Sequence, residues 1–328
     1  MGIGTTVMEG LVREAKYRPF SGTAYTLGRP TMALSPSLTN QRFRDLGLKP
    51  FGGPAREDQV DTVTAYSGEL SFGPIRDVEF FRMLGFDRTM AIDVSDFEGA
   101  DIIVDLNREL PAELAGTCDL LVDGSTLDNL FDPITALRSA TRLLKLNGRI
   151  CLSIQGNYST RYNGIPYLIF TPIWLYDYFV ANRFVDCQIY VSIWTTSGQS
   201  AYVINHEHAT RKWGNGIIKP VLSEFPMQIC VFAERDENSS CDRIPNQHVY
   251  RTASEWESYE EVVRSIIARD RRPHIRSWPP ENSYDVPPGW HQVLADWSVL
   301  NPETQQFVRQ ADTSSFARAA STSYYPSY

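Results

Sequence analysis

The chain has 328 residues, 42% of them hydrophobic, with 39 acidic side chains against 31 basic ones, a net charge of −8 and a pI near 5.2. That is enough apolar material for a sizeable core. It provides no global positive field, which argues against a nucleic-acid or anionic-membrane partner. No stretch reaches the roughly 18 apolar residues of a membrane span, and MGIGTTVMEGLVREAK has no apolar signal region. MGIGTT fits a loose myristoylation pattern that is common by chance, and a single acyl chain anchors only marginally. The five cysteines (118, 151, 187, 230, 241) show no CxxC spacing, and two lie in apolar runs. They read as free thiols in a reducing compartment, so the expectation is a soluble, cytoplasmic protein.

In chain order, residues 1–20 predict a lead-in helix (Val7, Leu11, Val12, Ala15) that stops at Pro19. Thr23–Leu27 reads as a strand ended by Gly28-Arg29-Pro30, and a helix opens near Ser35-Pro36. Residues 49–73, rich in Gly, Pro and charge, read as an insertion or lid. Asp77–Leu84 is a compact helix capped by Gly85. Four apolar runs follow: Met90–Val94, Ile102–Leu106, Leu120–Asp123 and Ile150–Ser153. A helical pattern (Ile134, Leu137, Thr141, Leu144) lies between the last two. Short apolar runs separated by helices predict buried parallel strands. GNYSTRYNGIPY reads as a loop, Thr171–Phe184 as a helix and VDCQIYVSIW as a strand. Residues 199–223 read as irregular and MQICVFAERD as a last buried strand. The implied organisation is a main domain over 21–235 and a polar, Pro-rich extension over 236–311 with one helix, Trp256–Asp270. A disordered tail over 312–328 completes it.

Three of the apolar runs deliver an acid near their end: Asp93, Asp105 and Asp123. Ligands of open parallel sheets sit beyond the carboxyl ends of the strands. A carboxylate at Asp93 can take both hydroxyls of a ribose. Asp105 suits the edge of an adenine, and Gly124 would let a ligand approach the backbone beside Asp123. Singly, each acid is more often a turn or N-cap residue; three in succession favour a ligand site. Gln155, Asn157, Tyr158 and Tyr162 should face the substrate or simply solvate a loop. His206 and His208 offer too few ligands for a metal, so none is expected; either could serve as a general base. The arginines at 269, 271, 272 and 276 read as a solvated helix end, and Trp174, Tyr176, Tyr178 and Phe179 as core.

IDVSDFEGADIIVDLN and CDLLVDGSTLDNLFDPITALRSATRLLKLNGRI resemble the core of class I S-adenosylmethionine-dependent methyltransferases. They are most similar to proteins carrying a DxSDYEGA…HDLN…DGGTLEHVFN…LKxGG pattern, and TPIWLYDYFVANRF resembles their SPxxxxxxFxxNGF segment. The resemblance implies an α/β, doubly wound, mostly parallel Rossmann-like sheet. Its last strand, Met227–Ala233, would be antiparallel and inserted beside Val185–Ile193. It implies S-adenosyl-L-methionine as cofactor, with Gly28 in the cofactor turn and Arg29 able to pair with the cofactor carboxylate. Asp93 and Val94 would sit at the ribose and Asp105 with Leu106 at the adenine. Asp123 and Gly124 would lie near the transferred methyl. The chain departs from the pattern in its LGRP turn, which holds one glycine. It departs again at Asn129, which stands where a histidine base is usual and cannot accept a proton near neutral pH. The implied reaction is methyl transfer to a small-molecule or glycan hydroxyl or amine. A catalytically degenerate binding or scaffolding module is the alternative. A nicotinamide oxidoreductase fits poorly, because G-x-G-x-x-G and Tyr-x-x-x-Lys are both missing.

Overall fold

The computed structural model describes residues 2–64, 67–70, 72–156, 166–195, 198–204, 227–247, 250–269, 290–292, 298–300 and 307–309. The elements in order are β1 (Gly2–Ile3), α1 (Thr5–Tyr17), β2 (Thr23–Leu27), β3 (Thr31–Met32), α2 (Pro36–Asp45), α3 (Asp77–Leu84), β4 (Arg88–Asp93) and β5 (Ile102–Ile103). After them come β6 (Cys118–Gly124), α4 (Pro133–Leu143), β7 (Leu144–Gln155), α5 (Pro172–Ala181), β8 (Val185–Thr195), β9 (Gly198–Ile204), β10 (Met227–Glu234) and α6 (Ala253–Arg269). Three short strands close the series: β11 (Trp290–Gln292), β12 (Ser298–Leu300) and β13 (Phe307–Arg309). Among the described residues no helix is long and apolar enough to cross a membrane. The tail expected over 312–328 and the arginines at 271, 272 and 276 lie outside the described residues.

Nine strands form one sheet in the order β11-β9-β8-β10-β7-β6-β2-β4-β5. β5, β4, β2, β6 and β7 run parallel to one another. β10 is antiparallel to both β7 and β8, with Cys230 opposite Ser153 and Tyr190. This is the doubly wound Rossmann-like sheet with an inserted antiparallel strand. Two details differ from the sequence expectation. β9 is a strand at the start of the 199–223 segment, which the sequence pattern makes irregular throughout. The Ile102–Leu106 run is extended only over Ile102–Ile103, because the Asp105 side chain folds the chain into a turn.

Side chains alternate between two cores, as a sheet covered on both faces requires. Leu121, Ile150, Leu152 and Val231 pack with α4, α5 and α6 on one side. Leu120, Val122, Cys151 and Phe232 pack with α1, α2 and α3 on the other. The lead-in helix α1 is therefore a core element, buried from Thr5 to Val12. Its two buried acids are neutralised from outside: Glu9 pairs with Arg42 at 2.5 Å, and Glu14 pairs with Arg149 of β7. Burial pushes Glu9 up to about 7 against the pull of Arg42. The helix of the extension is likewise docked. Tyr259 of α6 donates to Asp177 of α5 at 2.7 Å, and Arg251 pairs with the same carboxylate at 2.5 Å.

The described part of residues 49–73 is mostly irregular and forms a wall hydrogen-bonded to its neighbours. Asn40 makes two 2.8 Å hydrogen bonds to the Ala55 backbone, and the Asp61 N–H donates to Pro74 O at 2.7 Å. Thr31 Oγ1 donates to Thr64 Oγ1 at 2.7 Å, which ties the wall to the chain just past β2.

Breaking a buried ion pair from one side leaves an uncompensated charge. Glu14→Ala should therefore cost about 3–5 kcal/mol, whereas Glu14→Leu combined with Arg149→Met should cost far less. Urea unfolding of the single variant and the double variant checks this.

Candidate functional site at the carboxyl ends of the strands

β2, the central one of the five parallel strands, ends at Leu27 and turns at Gly28, whose φ of +66° an L side chain rarely adopts. The Gly28 N–H donates to Ile92 O of β4 at 2.6 Å, holding the turn against its neighbour strand. Arg29, expected to meet a cofactor carboxylate, is committed elsewhere. Its Nη1 donates to both Asp77 oxygens (3.2 and 3.0 Å), and its Nη2 to Asp101 Oδ2 (2.8 Å) and Gly99 O (2.7 Å). Nε also donates to Gly99 O at 3.1 Å. All three guanidinium nitrogens thereby donate, and Arg29 braces the β4–β5 loop against α3.

Asp93 ends β4 half-buried. Its Oδ1 accepts the Val94 N–H at 2.6 Å, and the carboxylate has no second partner among the described residues. Val94 beside it is exposed. Asp105 instead closes a local turn: Oδ1 accepts both the backbone N–H (2.9 Å) and Nδ2 (3.1 Å) of Asn107. These bonds, the backbone one first, hold its carboxyl below the usual range. Asn107 Oδ1 then accepts the N–H groups of Phe131 (3.0 Å) and Asp132 (3.1 Å). The acid expected at an adenine edge thus ties the loop after β5 to the loop after β6. Leu106 is buried beneath this tie.

Asp123, expected beside the transferred methyl, is fully buried. Its oxygens accept the N–H groups of Thr126 (2.6 Å) and Leu127 (3.1 Å), capping the turn after β6. Burial pushes it up to about 7, helped by the nearby Asp128. At Gly124 the chain itself comes close: a Cβ there would meet Gly2 O at 3.1 Å. Ser125 follows with φ +80°, a strained value for a non-glycine residue, and such strain collects at functional sites. Its Oγ donates to Asp128, 2.9 and 2.8 Å from the two oxygens, and Asp128 also accepts the Gln155 N–H at 3.1 Å. Asp128 is fully buried and raised by that burial. Asn129 donates to Ser125 O at 2.6 Å.

Tyr158, His206 and His208 lie outside the described residues, as do Asn157 and Tyr162. Among the described residues no group of three His, Cys, Asp or Glu could hold a metal. Sequence reasoning missed Asn107, Ser125 and Asp128, and an exposed ring pair, Phe131 and Tyr167, whose centroids are 5.6 Å apart. The DLN and DGSTLDN motifs held three of them in plain view; nothing local marked Tyr167 as a partner of Phe131.

The chain matches no protein-family model, and no curated protein matches it. Among solved structures it is similar to the Burkholderia thailandensis 1,6-didemethyltoxoflavin-N1-methyltransferase with bound 1,6-didemethyltoxoflavin and S-adenosylhomocysteine. That similarity is at 11% identity and TM-score 0.34, over 70% of this chain and 77% of that one. It is similar to a SAM-dependent methyltransferase from Archaeoglobus fulgidus (10% identity, TM-score 0.35, 70% and 93% covered). It is also similar to a point mutant of the 16S rRNA (adenine(1408)-N(1))-methyltransferase from Catenulisporales acidiphilia (11%, TM-score 0.29, 70% and 94%). At these levels the likenesses add no weight, and the fold rests on the strand order itself.

Asp123 and Glu9 both titrate near 7 in the folded chain, against ordinary values of 3.8 and 4.5. The folded state binds more protons than the unfolded state between those limits, so stability falls as pH rises from about 4 to about 7. Asp123→Asn removes one of the two groups, at a cost of about 1 kcal/mol for the turn bond it weakens. Its unfolding free energy should therefore fall less steeply over that range, as read by denaturant titrations at several pH values.

Proposed function

We propose that this chain is an S-adenosylmethionine-dependent methyltransferase acting on a hydroxyl or amine of a small molecule or glycan. The observation that carries the reading is Asp93: a half-buried carboxylate at the end of the strand next to the central one, with acceptor capacity left over. Asp77, Asp101, Asp105, Asp123 and Asp128 at this end of the sheet are taken up in ion pairs or hydrogen bonds. The residues fit the nucleoside portion of that cofactor. Asp93 would accept from the ribose hydroxyls, with the exposed Val94 supplying apolar surface for the base, Leu106 backing the site from the core, and the Gly28 turn allowing close backbone approach. At the opposite end Arg29 and Asp123 are already committed, so backbone groups of the 28–30 turn would have to serve.

The bound cofactor would supply an electrophilic methyl group, and the chain's work is to position the acceptor and take up its proton. Asn129 cannot do the latter. Ser125 Oγ can, because its own proton already points at Asp128, a buried acid whose affinity for protons is raised. A small neutral acceptor is favoured over nucleic acid by charge. The loops after β4, β5 and β6 (94–117 and 125–132) carry eight acids and one base, Arg108. Phosphates would be repelled there.

The second reading, a binding module on a methyltransferase-like frame, is favoured by the commitment of Arg29 and Asp123 to the fold. Calorimetric titration separates the two from a chain that does not use the cofactor at all. Wild type should bind S-adenosylmethionine and S-adenosylhomocysteine, and Asp93→Ala should weaken both by about tenfold or more, the scale of a charged hydrogen bond. No binding by wild type would falsify the proposal.

A further inference from the structure

Helix α1 opens at Gly4, whose φ of −67° and ψ of 163° are those of an N-cap residue. No side chain caps it, and its first turn holds no acid. The Met8 N–H donates to Gly4 O at 3.0 Å and closes the first helical bond. The N–H groups ahead of it, at the buried residues Thr5, Thr6 and Val7, have no acceptor among the described residues. Buried backbone donors are costly to leave unpaired, and the helix is open to the outside at the half-exposed Gly4.

The start of α1 lies at the carboxyl ends of the strands. Gly2 and Ile3 pair with Thr31 and Met32 just past the Gly28 turn, and the Ala33 N–H donates to Ile3 O at 3.0 Å. On the other side, a Cβ at Gly124 would meet Gly2 O at 3.1 Å and Ile3 Cγ1 at 3.3 Å. Gly124 ends β6, the neighbour of β2, so the first turn of α1 is set between the ends of these two strands. A second orphan faces the same place. Ser153 of β7 is fully buried, and its Oγ has no partner among the described residues. It is the rung partner of Gly124, and it shares with Cys151 the face of the sheet on which Ile3 and α1 pack. Its hydroxyl is therefore directed to the side where Gly2 and Ile3 lead into the helix.

Free N–H groups at the positive end of a helix, joined by an unpartnered hydroxyl, form a receptor for a carboxylate. Arg29, the cation expected to meet one, is committed to Asp77, Asp101 and Gly99. We propose that the first turn of α1, together with Ser153 Oγ, takes the α-carboxylate of the cofactor's amino-acid portion. The proposal rests on the methyltransferase reading, which supplies the anion; the donors are the chain's own.

Calorimetric titration of the full chain with three compounds tests it. S-adenosylhomocysteine carries the carboxylate, its decarboxylated counterpart keeps the amine alone, and methylthioadenosine lacks both groups. Wild type should bind S-adenosylhomocysteine about tenfold more tightly than either of the others, the scale of one charge-assisted hydrogen bond. Gly4→Asp supplies the missing cap and a competing negative charge. It should bring that ratio near one while leaving the melting temperature at or above the wild-type value. Gly4→Asn, a cap without charge, should fall between the two, and Ser153→Ala should lower the ratio about threefold. Equal binding of the three compounds by wild type overturns the proposal and leaves the cofactor reading standing. So does a ratio that neither Gly4→Asp nor Ser153→Ala changes. Binding of none of the three sinks both.

Discussion

The Arg29 guanidinium joins three pieces of chain that sequence separates widely. It sits one residue past the turn that ends β2, and it holds Asp77 at the start of α3 together with Gly99 and Asp101 in the β4–β5 loop. Asp101 in turn accepts the Ala91 N–H of β4 at 2.8 Å, so the brace reaches back into the sheet. A planar fork with five donors can do this where a lysine could not. Because Arg29 fixes the loop that follows Asp93, it fixes the place of an acid with acceptor capacity left over.

Three further ties complete the same end of the sheet. Thr126 Oγ1 donates to Leu27 O at 2.6 Å, Asn107 bridges to Phe131, and Ser125 with Asp128 links the β6 turn to Gln155. Each spends a polar side chain on holding one loop to another. The consequence is division of labour among the acids. Asp77, Asp101, Asp105 and Asp123 are structural, Asp128 is buried but joined to a half-exposed hydroxyl, and Asp93 remains available. A site assembled this way arrives preorganised, which reduces the ordering cost of binding.

The sheet was largely legible because its apolar runs and acidic strand ends are local features, and because the resemblance supplied the antiparallel position of Met227–Ala233. The exact strand lengths were not, since Asp105 folds back on Asn107 and ends β5 early. That an acid, Asp93, ends β4 could be read from the sequence because it is a local pattern. The surroundings of Arg29 and Gly124 could not, because each depends on a distant segment: Asp77 and Asp101 for the arginine and Gly2 for the glycine; the burial of Asp123 likewise follows only from the packed fold. The same holds for α1. Its amphipathic pattern is plain, but that Glu9 and Glu14 are buried follows only from Arg42 and Arg149 reaching them from other elements.

The central claim is that the acid left available at Asp93 makes this end of the sheet a site for an adenosine-bearing sulfonium cofactor and its product. Native mass spectrometry of the purified chain mixed with equal amounts of S-adenosylhomocysteine and NADH addresses it most directly. The account predicts a one-to-one complex with S-adenosylhomocysteine that Asp93→Ala largely abolishes. A complex with NADH instead, or an S-adenosylhomocysteine complex unaffected by that substitution, would contradict it.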